Sequence, residues 1–479
     1  MTKKHYHLIG IGGTAMGSVA GLLREAGHHV TGSDENVYPP MSDLLQEMGI
    51  EYAEGYDPSN VGLGGDGGAP PDVVVVGNAI SRGNPELEAV LDGKLYYTSA
   101  AVVLRDEFLR GRHSIAVAGT HGKTSTTSLV AWLLECAGLE PSFLIGGVAE
   151  NFGSSFRLTD SPYFVIEADE YDTAYFDKGP KMWHYLPQTA IVNNIEFDHA
   201  DIYRDEAAYR FAFERFINLI PRSGTLVAGW DSPIVQELAP QAFCPVESFG
   251  YGGDERPLWR AEDVEFGESL THFTVWKGEE RWGPVETVLS GAFSVRNCLA
   301  AIAAAEAVGA DRDRVREGFR SYRSVRRRME VRGEAAGVVV IDDFAHHPTA
   351  VRETIDATRQ RFAGRPVVGV FEPRSYTAQR REFQEPYRQS FAGADHVILA
   401  GLFRPERYTE ETGLDPHRLV EDLEADGIEA HYIPAVDEIV AHLKARLQGG
   451  EIVLVMSNGG FGGIHEKLLA ALQGRDQAQ

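Results

Sequence analysis

The sequence predicts an α/β fold built on parallel sheets in three domains. Three observations carry that expectation. Short β-rich runs alternate with helix patterns along the whole chain, glycine-rich turns follow strand patterns at two places, and the alternation restarts near residue 111 and again after residue 333. A strand run followed by a helical run, repeated, is the pattern of parallel strands wrapped by crossover helices.

The first unit reads "YHLIGIGG" then "TAMGSVAGLLREAG", "HHVTGSD" then "MSDLLQEMG", and "PDVVVVGNA" then "NPELEAVLDG", with a Gly/Pro-rich loop at 61–72. Its first turn is Gly10-Ile11-Gly12-Gly13-Thr14-Ala15, between a strand and a helix. Glycines there let backbone N–H groups approach a pyrophosphate at the helix N-terminus. Asp34 closes the second strand, where an acid reaches a ribose in dinucleotide folds. Two readings stay open at this point, a nucleotide such as NAD and a tight turn with no ligand. The complete βαβ setting favours a nucleotide.

The second unit opens with "HSIAVAGTHGKTSTTSLVAWLLE" (113–135). "SIAVAG" is a buried-strand run, and Leu129, Val130, Leu133 and Leu134 have helical spacing. Strand, glycine loop, Lys-Thr and helix is the order of a phosphate-binding P-loop. Backbone amides of such a loop hold phosphates, Lys123 reaches the β and γ groups, and the Thr124 hydroxyl faces Mg²⁺. A strict Walker A loop has Gly five residues before Gly122, where this chain has Val117, so the turn is shorter and starts at Gly119.

Two acidic segments follow strand patterns in the same unit. "FVIEADEYDTAYFD" (164–177) carries Glu167, Asp169, Glu170 and Asp172, and "AIVNNIEFDHADIY" (190–203) carries Glu196, Asp198, His199 and Asp201. Charge clusters are commonly solvated loops. Strand ends in a parallel sheet meet at the ligand-binding edge, which favours a metal site for transferring phosphate. A basic, aperiodic stretch, "SYRSVRRRMEVRG" (321–333), reads as a linker. The third unit then runs through "VVVIDDFAHHPTAVRETI", "RPVVGVFEPRS", "ADHVILAGLF" and "EIVLVMSNGG". Its Asp and His pairs and Arg374 suit an amino or carboxylate group, or simply caps and loop hydrogen bonds.

Bulk properties narrow the function. The 479 residues carry a net charge of −25, with 43% hydrophobic and 24% charged residues. That charge argues against non-specific nucleic-acid binding and against an anionic membrane surface. Cys136, Cys244 and Cys298 are scattered and odd in number, which reads as free thiols in a reducing compartment. "MTKKHYHLIGIGG" lacks a signal-peptide core, and no apolar run nears the roughly 20 residues of a membrane span. A cytoplasmic protein is expected. Two nucleotide-type turns in one chain suit an enzyme that binds a nucleotide-linked substrate and consumes ATP. A dehydrogenase leaves the second turn idle, a simple ATPase leaves the first, and a non-catalytic nucleotide-binding regulator would bind ATP with no ligation product.

The order of these motifs resembles the Mur ligases of peptidoglycan synthesis, over essentially the whole chain. The likeness rests on the N-terminal glycine turn, "GTHGKT", "IEADEYDTAYFD", "NNIEFDHADIY", "DDFAHHPTA", "EPRS" and "VMSNGGFGGIHEKLL". These stretches resemble the branch that adds the tripeptide L-alanyl-γ-D-glutamyl-meso-diaminopimelate to UDP-N-acetylmuramate. The L-alanine-adding branch is the alternative. The resemblance implies an N-terminal Rossmann-like domain for the UDP-substrate (1–110), a central P-loop ATPase-like domain (111–325) and a C-terminal Rossmann-like domain that closes on ATP and holds the peptide (326–479).

By the same resemblance Gly10, Gly12, Gly13, Thr14, Ala15, Met16 and Asp34 contact the UDP-substrate. Gly119, Thr120, His121, Gly122, Lys123, Thr124, Ser125, Asn297 and Asp343 bind ATP. Thr124, Glu167 and His199 hold Mg²⁺. Lys123, His199, His347 and Arg374 form the catalytic set, with His347 and Arg374 near the incoming amine and its carboxylates. The implied reaction passes through an acyl phosphate, serves peptidoglycan recycling and needs only a monomer. Two departures stand out. Many relatives have a His-Asn pair where this chain has Phe293-Ser294, ahead of a retained Asn297. The segment "AYRFAFERFINL" (208–219) has no lysine where other branches carbamylate one.

Overall fold

Five parallel strands form the first sheet of the computed structural model, which describes residues 3–38, 41–63, 68–199, 202–253, 255–409 and 411–476. Their order across the sheet is Glu51–Glu54, His29–Asp34, His5–Ile9, Val73–Val76 and Tyr97–Ser99. Strand order reverses at His5–Ile9, so a crevice opens beyond its carboxyl end, where the glycine turn lies. The helix Thr14–Glu25 leaves that turn. Its opposite side meets the strand Ser154–Arg157. Ser18 Oγ lies 3.0 Å from Ser155 Oγ, and a Cβ at Gly21 would stand 2.1 Å from the Phe156 ring. Only a glycine lets that ring lie on the helix backbone.

The second parallel sheet runs Val246–Gly250, Thr225–Gly229, Pro187–Val192, His113–Ala118, Tyr163–Glu167 and Ser142–Ala149, with Ser154–Arg157 antiparallel beside the last. Ile115 through Ala118 have no exposed surface. That is the expected fate of a continuous apolar run in a sheet covered on both faces. The helix Lys123–Cys136 follows the central strand and buries Leu129, Val130, Leu133 and Leu134, as their spacing predicts.

The third sheet has six strands. Glu330–Ala335 pairs antiparallel with Val338–Asp343, which continues into parallel Ile452–Met456, Val367–Phe371, His396–Leu399 and Glu429–Tyr432. Apolar clusters cover both faces. Three strands ahead of it, Trp259–Phe266, Thr271–Lys277 and Glu280–Thr287, form an antiparallel meander.

The observed α/β class with parallel sheets in three domains agrees with the sequence reading. One local reading needs correction. The stretch 321–333 is not wholly a linker, because Glu330–Ala335 is a strand whose backbone pairs with Val338–Asp343 across a two-residue turn. The meander, with its period-two burial, was not anticipated at all. The Gly/Pro-rich loop 61–72 and the acidic candidate Asp201 fall partly or wholly outside the described residues. The chain divides into two compact units. One comprises Met1–Glu196, Glu206–Phe249 and Ala300–Gly318, and the other Phe197–Asp205, Gly250–Leu299 and Phe319–Gln479. Among the described residues no helix is long and apolar enough to cross a membrane.

Candidate active site

In the first unit the loop from Gly119 to Gly122 joins the strand His113–Ala118 to the helix beginning at Lys123. Gly119 has φ +136°, and a Cβ there would sit 3.0 Å from Asn193 Cβ and 3.1 Å from the Asn193 and Asn194 nitrogens. Both the dihedral and the contact demand glycine. Residues 193–196 lace the loop in place. Thr120 N donates to Asn194 O at 3.0 Å, and His121 N donates to Asn194 Oδ1 at 2.8 Å. Thr120 Oγ1 exchanges hydrogen bonds with the backbone of Glu196, 2.9 Å each way. His121 Nε2 lies 3.2 Å from Glu196 Oε2. The sequence reading placed the second acidic segment beside the loop but gave no role to Asn193, Asn194 or Tyr209, whose hydroxyl lies 3.0 Å from Thr120 Oγ1.

Lys123 folds back on the loop it follows. Its Nζ donates to Gly119 O at 2.7 Å and to Glu170 Oε1 at 2.9 Å. Glu170 is fully buried. Burial opposes charge on Lys123, but the carboxylates of Glu170 and Asp169 outweigh it and raise the ammonium pKa. The cation is therefore fixed in the loop before any ligand arrives. Glu170, read from sequence only as one member of an acidic cluster, is its counter-ion.

Thr124 Oγ1 donates to Glu167 Oε1 at 3.0 Å, and Gly146 N donates to Glu167 Oε2 at 2.8 Å. Burial, with Asp169 nearby, lifts the Glu167 carboxyl above its ordinary range against the pull of Lys123. A hydroxyl and a carboxylate held together are hard oxygen donors of the kind Mg²⁺ selects. The structure thus brings Lys123, Thr124 and Glu167 together, with Ser125 half-buried in the first turn of the same helix.

The glycine turn of the first sheet is braced differently from expectation. Gly10 N and Ile11 N donate to Ser33 O, and Gly13 N to Gly10 O. Gly12 N donates to Asp34 Oδ2 at 2.9 Å. The amides of the three glycines shape the turn. The N–H groups that lack intrahelical partners belong to Thr14, Ala15 and Met16, the first turn of the helix. Asp34 acts on the turn itself.

In the second unit Asp198 is buried, and His199 N donates to its Oδ1 at 2.6 Å. Burial alone would raise this carboxyl, but His199, His347 and His346 hold it well below the ordinary carboxylate range. His199 itself has φ +54°. His347 is buried and caps the helix Pro348–Arg361, its Nδ1 accepting from Thr349 N at 3.4 Å. Asp343 accepts from Met329 N and Ala345 N, each at 2.8 Å, so its carboxylate ties the loop to the strand before it. Asn297 is buried in the helix Ala292–Ala307.

Arg374 follows the strand Val367–Phe371. Its guanidinium lies 4.1 Å from the Phe403 ring centroid and 3.6 Å from Glu372. A Cβ at Gly459 would be 2.3 Å from its Nε, so the group sits between an aromatic ring and a bare backbone. Arg327 fixes that backbone by donating to Ser457 O at 2.6 Å and Gly459 O at 2.7 Å. Arg327 had no assigned role in the sequence reading, because the basic run around it looked like solvated linker.

Family models match the chain in three successive stretches: the Mur ligase family catalytic domain over 5–110, the Mur ligase middle domain over 117–305, and the Mur ligase glutamate ligase domain over 327–459. The chain is 42% identical over 471 residues to the UDP-N-acetylmuramate–L-alanyl-γ-D-glutamyl-meso-2,6-diaminoheptandioate ligase of Haemophilus influenzae, covering 98% of this chain and 99% of that one. It is also 42% identical to the Escherichia coli enzyme of the same name, with the same coverage. A crystal structure of a murein peptide ligase from Psychrobacter arcticus is similar, with TM-score 0.70, 36% identity and coverage of 98% and 99%.

Proposed function

The chain belongs to the Mur ligase family, whose members are ATP-dependent ligases of peptidoglycan metabolism, and from that premise we propose that it joins L-alanyl-γ-D-glutamyl-meso-diaminopimelate to UDP-N-acetylmuramate. The observation that carries the assignment is the full-length 42% identity to two ligases named for that reaction. The role is the recycling of cell-wall peptide.

The chemistry needs ATP because a free carboxylate has oxide as its leaving group. The lactyl carboxylate of UDP-N-acetylmuramate attacks the γ-phosphorus, ADP departs, and an acyl phosphate results. The tripeptide's alanine amine then attacks the carbonyl carbon, loses a proton and expels phosphate. Lys123, fixed by Glu170 and Gly119 O, supplies a preorganised cation where charge develops on the transferring group. Mg²⁺, when bound, neutralises phosphate charge, and Thr124, Glu167 and His199 are the residues assigned to it. With Thr120 N and His121 N taken up by Asn194, the backbone amides of Gly122–Ser125 are the ones assigned to the phosphates, and Gly119, Thr120 and His121 border them.

The pyrophosphate of the UDP-substrate is assigned to the helix N-terminus at Thr14, Ala15 and Met16, on a turn shaped by Gly10, Gly12, Gly13 and Asp34. Asn297 and Asp343 are assigned to the ATP side, Asp343 by holding its loop. Arg374 and His347 are assigned to the incoming peptide. Domain limits of 1–110, 111–325 and 326–479 accompany this reading. The test is mass spectrometry of products from UDP-N-acetylmuramate, ATP and Mg²⁺ with either L-alanine or the tripeptide. A tripeptide adduct is expected. An L-alanine adduct alone would move the protein to the other branch, and no adduct would remove the ligase reading.

A further inference from the structure

Three histidines meet in the C-terminal sheet, on residues the ligase reading does not use. His396 opens the strand His396–Leu399, His431 lies on the neighbouring strand Glu429–Tyr432, and His442 lies on the helix Val436–Arg446 that follows it. One potential ligand atom from each ring lies within 4.8 Å of the other two. Ring centroids are 5.2 Å apart for His396 and His431, 5.7 Å for His396 and His442, and 4.8 Å for His431 and His442.

The sheet geometry explains the convergence. Ile398, two residues along from His396, belongs to the apolar cluster that contains Ile439 and Leu443 of the helix. Alternation along the strand puts His396 on that same face. His431 is flanked by Ala430 and Tyr432, which pack in or against the cluster on the other face. It therefore also turns toward the helix.

The polar atoms are poorly served for a merely packed cluster. His396 is 8% exposed. Its Nε2 is buried without a hydrogen-bond partner, and so is Nε2 of His442. Leaving buried nitrogen atoms unpaired is costly, and an apolar side chain would fill the space without that cost. His431 Nδ1 is hydrogen-bonded to Ala430 O, which leaves Nε2 as the ring's ligand atom. A ligand imidazole held through its other nitrogen by a carbonyl is the usual support for a metal. Glu429 Oε1 stands 3.6 Å from His431 Nε2 and also pairs with Arg446.

We infer that His396, His431 and His442 bind a borderline divalent transition-metal ion of the Zn²⁺ type, clipping two edge strands to the helix that follows them. Zinc–nitrogen bonds of about 2.0–2.1 Å set tetrahedral ligand atoms about 3.4 Å apart, so the rings close by movements on the order of 1 Å. Imidazole nitrogen selects this class over Mg²⁺, which takes oxygen ligands. Within the C-terminal sheet the histidines lie apart from Arg374, and the inference does not rest on the ligase reading. Arg374 follows the carboxyl end of its strand, whereas His396 opens the amino end of the next one.

The full-length protein is dialysed against a chelator, given millimolar Mg²⁺ and titrated with Co²⁺. One equivalent should produce visible bands of a four-coordinate ion, displaced by one equivalent of Zn²⁺. His442→Gln, on the half-exposed helix position, should weaken binding at least about 100-fold, since losing a supporting residue alone costs 10–100-fold. His431→Asn should do the same. A wild-type protein without such bands, or a folded variant that binds like wild type, overturns the inference. Anomalous scattering at the zinc edge from soaked crystals locates the ion without any variant. A peak between the three rings supports the site, and zinc only elsewhere overturns it.

Discussion

Lys123→Ala should destabilise the protein as well as silence it, and the two effects should separate in a double mutant. The ammonium lies 2.8 Å from Glu170 Oε2, and the Glu170 side chain has no exposed surface. Removing one member of a buried ion pair leaves the other charge uncompensated, at a cost of about 3–5 kcal/mol. Lys123 keeps 12% side-chain exposure, so water reaches the outer edge of the pair. The loss should fall at the low end, about 3 kcal/mol. At about 2–4 °C per kcal/mol for a domain of 150–250 residues, melting should drop by roughly 6–12 °C. Adding Glu170→Gln neutralises the stranded charge while its amide oxygen still accepts from the Tyr209 hydroxyl, a bond of 3.3 Å in the wild type. The double mutant should recover about 1.5 kcal/mol or more, a coupling within the range for residues in contact. Turnover should not recover. Both Lys123 variants lack the cation at the transferring phosphate, a loss of about 10²–10³ in rate or more. Melting curves and phosphate-release kinetics of wild type, both single mutants and the double mutant form the cycle. A double mutant that melts no higher than Lys123→Ala refutes the ion-pair argument. Normal turnover by Lys123→Ala refutes the phosphate role.

Glu167→Gln should raise the Mg²⁺ requirement steeply with little change in melting, and superimposable Mg²⁺ titrations would leave Glu167 only its bonds to Thr124 and Gly146. Gly119→Ala should lose nucleotide binding and stability together. Its positive φ costs on the order of 1–3 kcal/mol for an alanine, before the 3.0 Å contact with Asn193 is relieved; a wild-type melting temperature would count against the strain argument. Gly459→Ala should leave stability nearly unchanged, because the flexible end of Arg374 can yield to the new methyl, yet it should raise KM for the amine donor as the guanidinium leaves Phe403. An unchanged KM would place Arg374 outside the peptide site. Arg374→Ala should depress kcat/KM for the tripeptide far more than for L-alanine, and equal losses would put it in machinery common to both. With Phe293-Ser294 in place of His-Asn, selectivity for ATP over GTP should be weak, and strong ATP preference would show that other residues read the base.

The sequence by itself determined the three α/β units, the two glycine turns and the helix that follows the second of them. These depend on periodicity and turn chemistry within windows of about 10–18 residues, where the side chains that decide the outcome are chain neighbours. It was silent where pairing rather than period decides. The strand Glu330–Ala335 sits in a basic run that reads as solvated, and becomes a strand because Val338–Asp343 offers it an edge. Tertiary structure alone selected Glu170 from four neighbouring acids as the partner of Lys123, 47 residues away. It alone showed that Asn194 holds the loop at Thr120 and His121, that the glycine amides of the first turn are taken up by Ser33, Gly10 and Asp34, and that His396, His431 and His442 converge. Each of these juxtapositions is set by sheet register and by the crossover that returns a helix to a given face. A shift of one residue in register would send every such side chain to the opposite face. Register is fixed by the burial of whole faces at once, and no short window of sequence contains that sum.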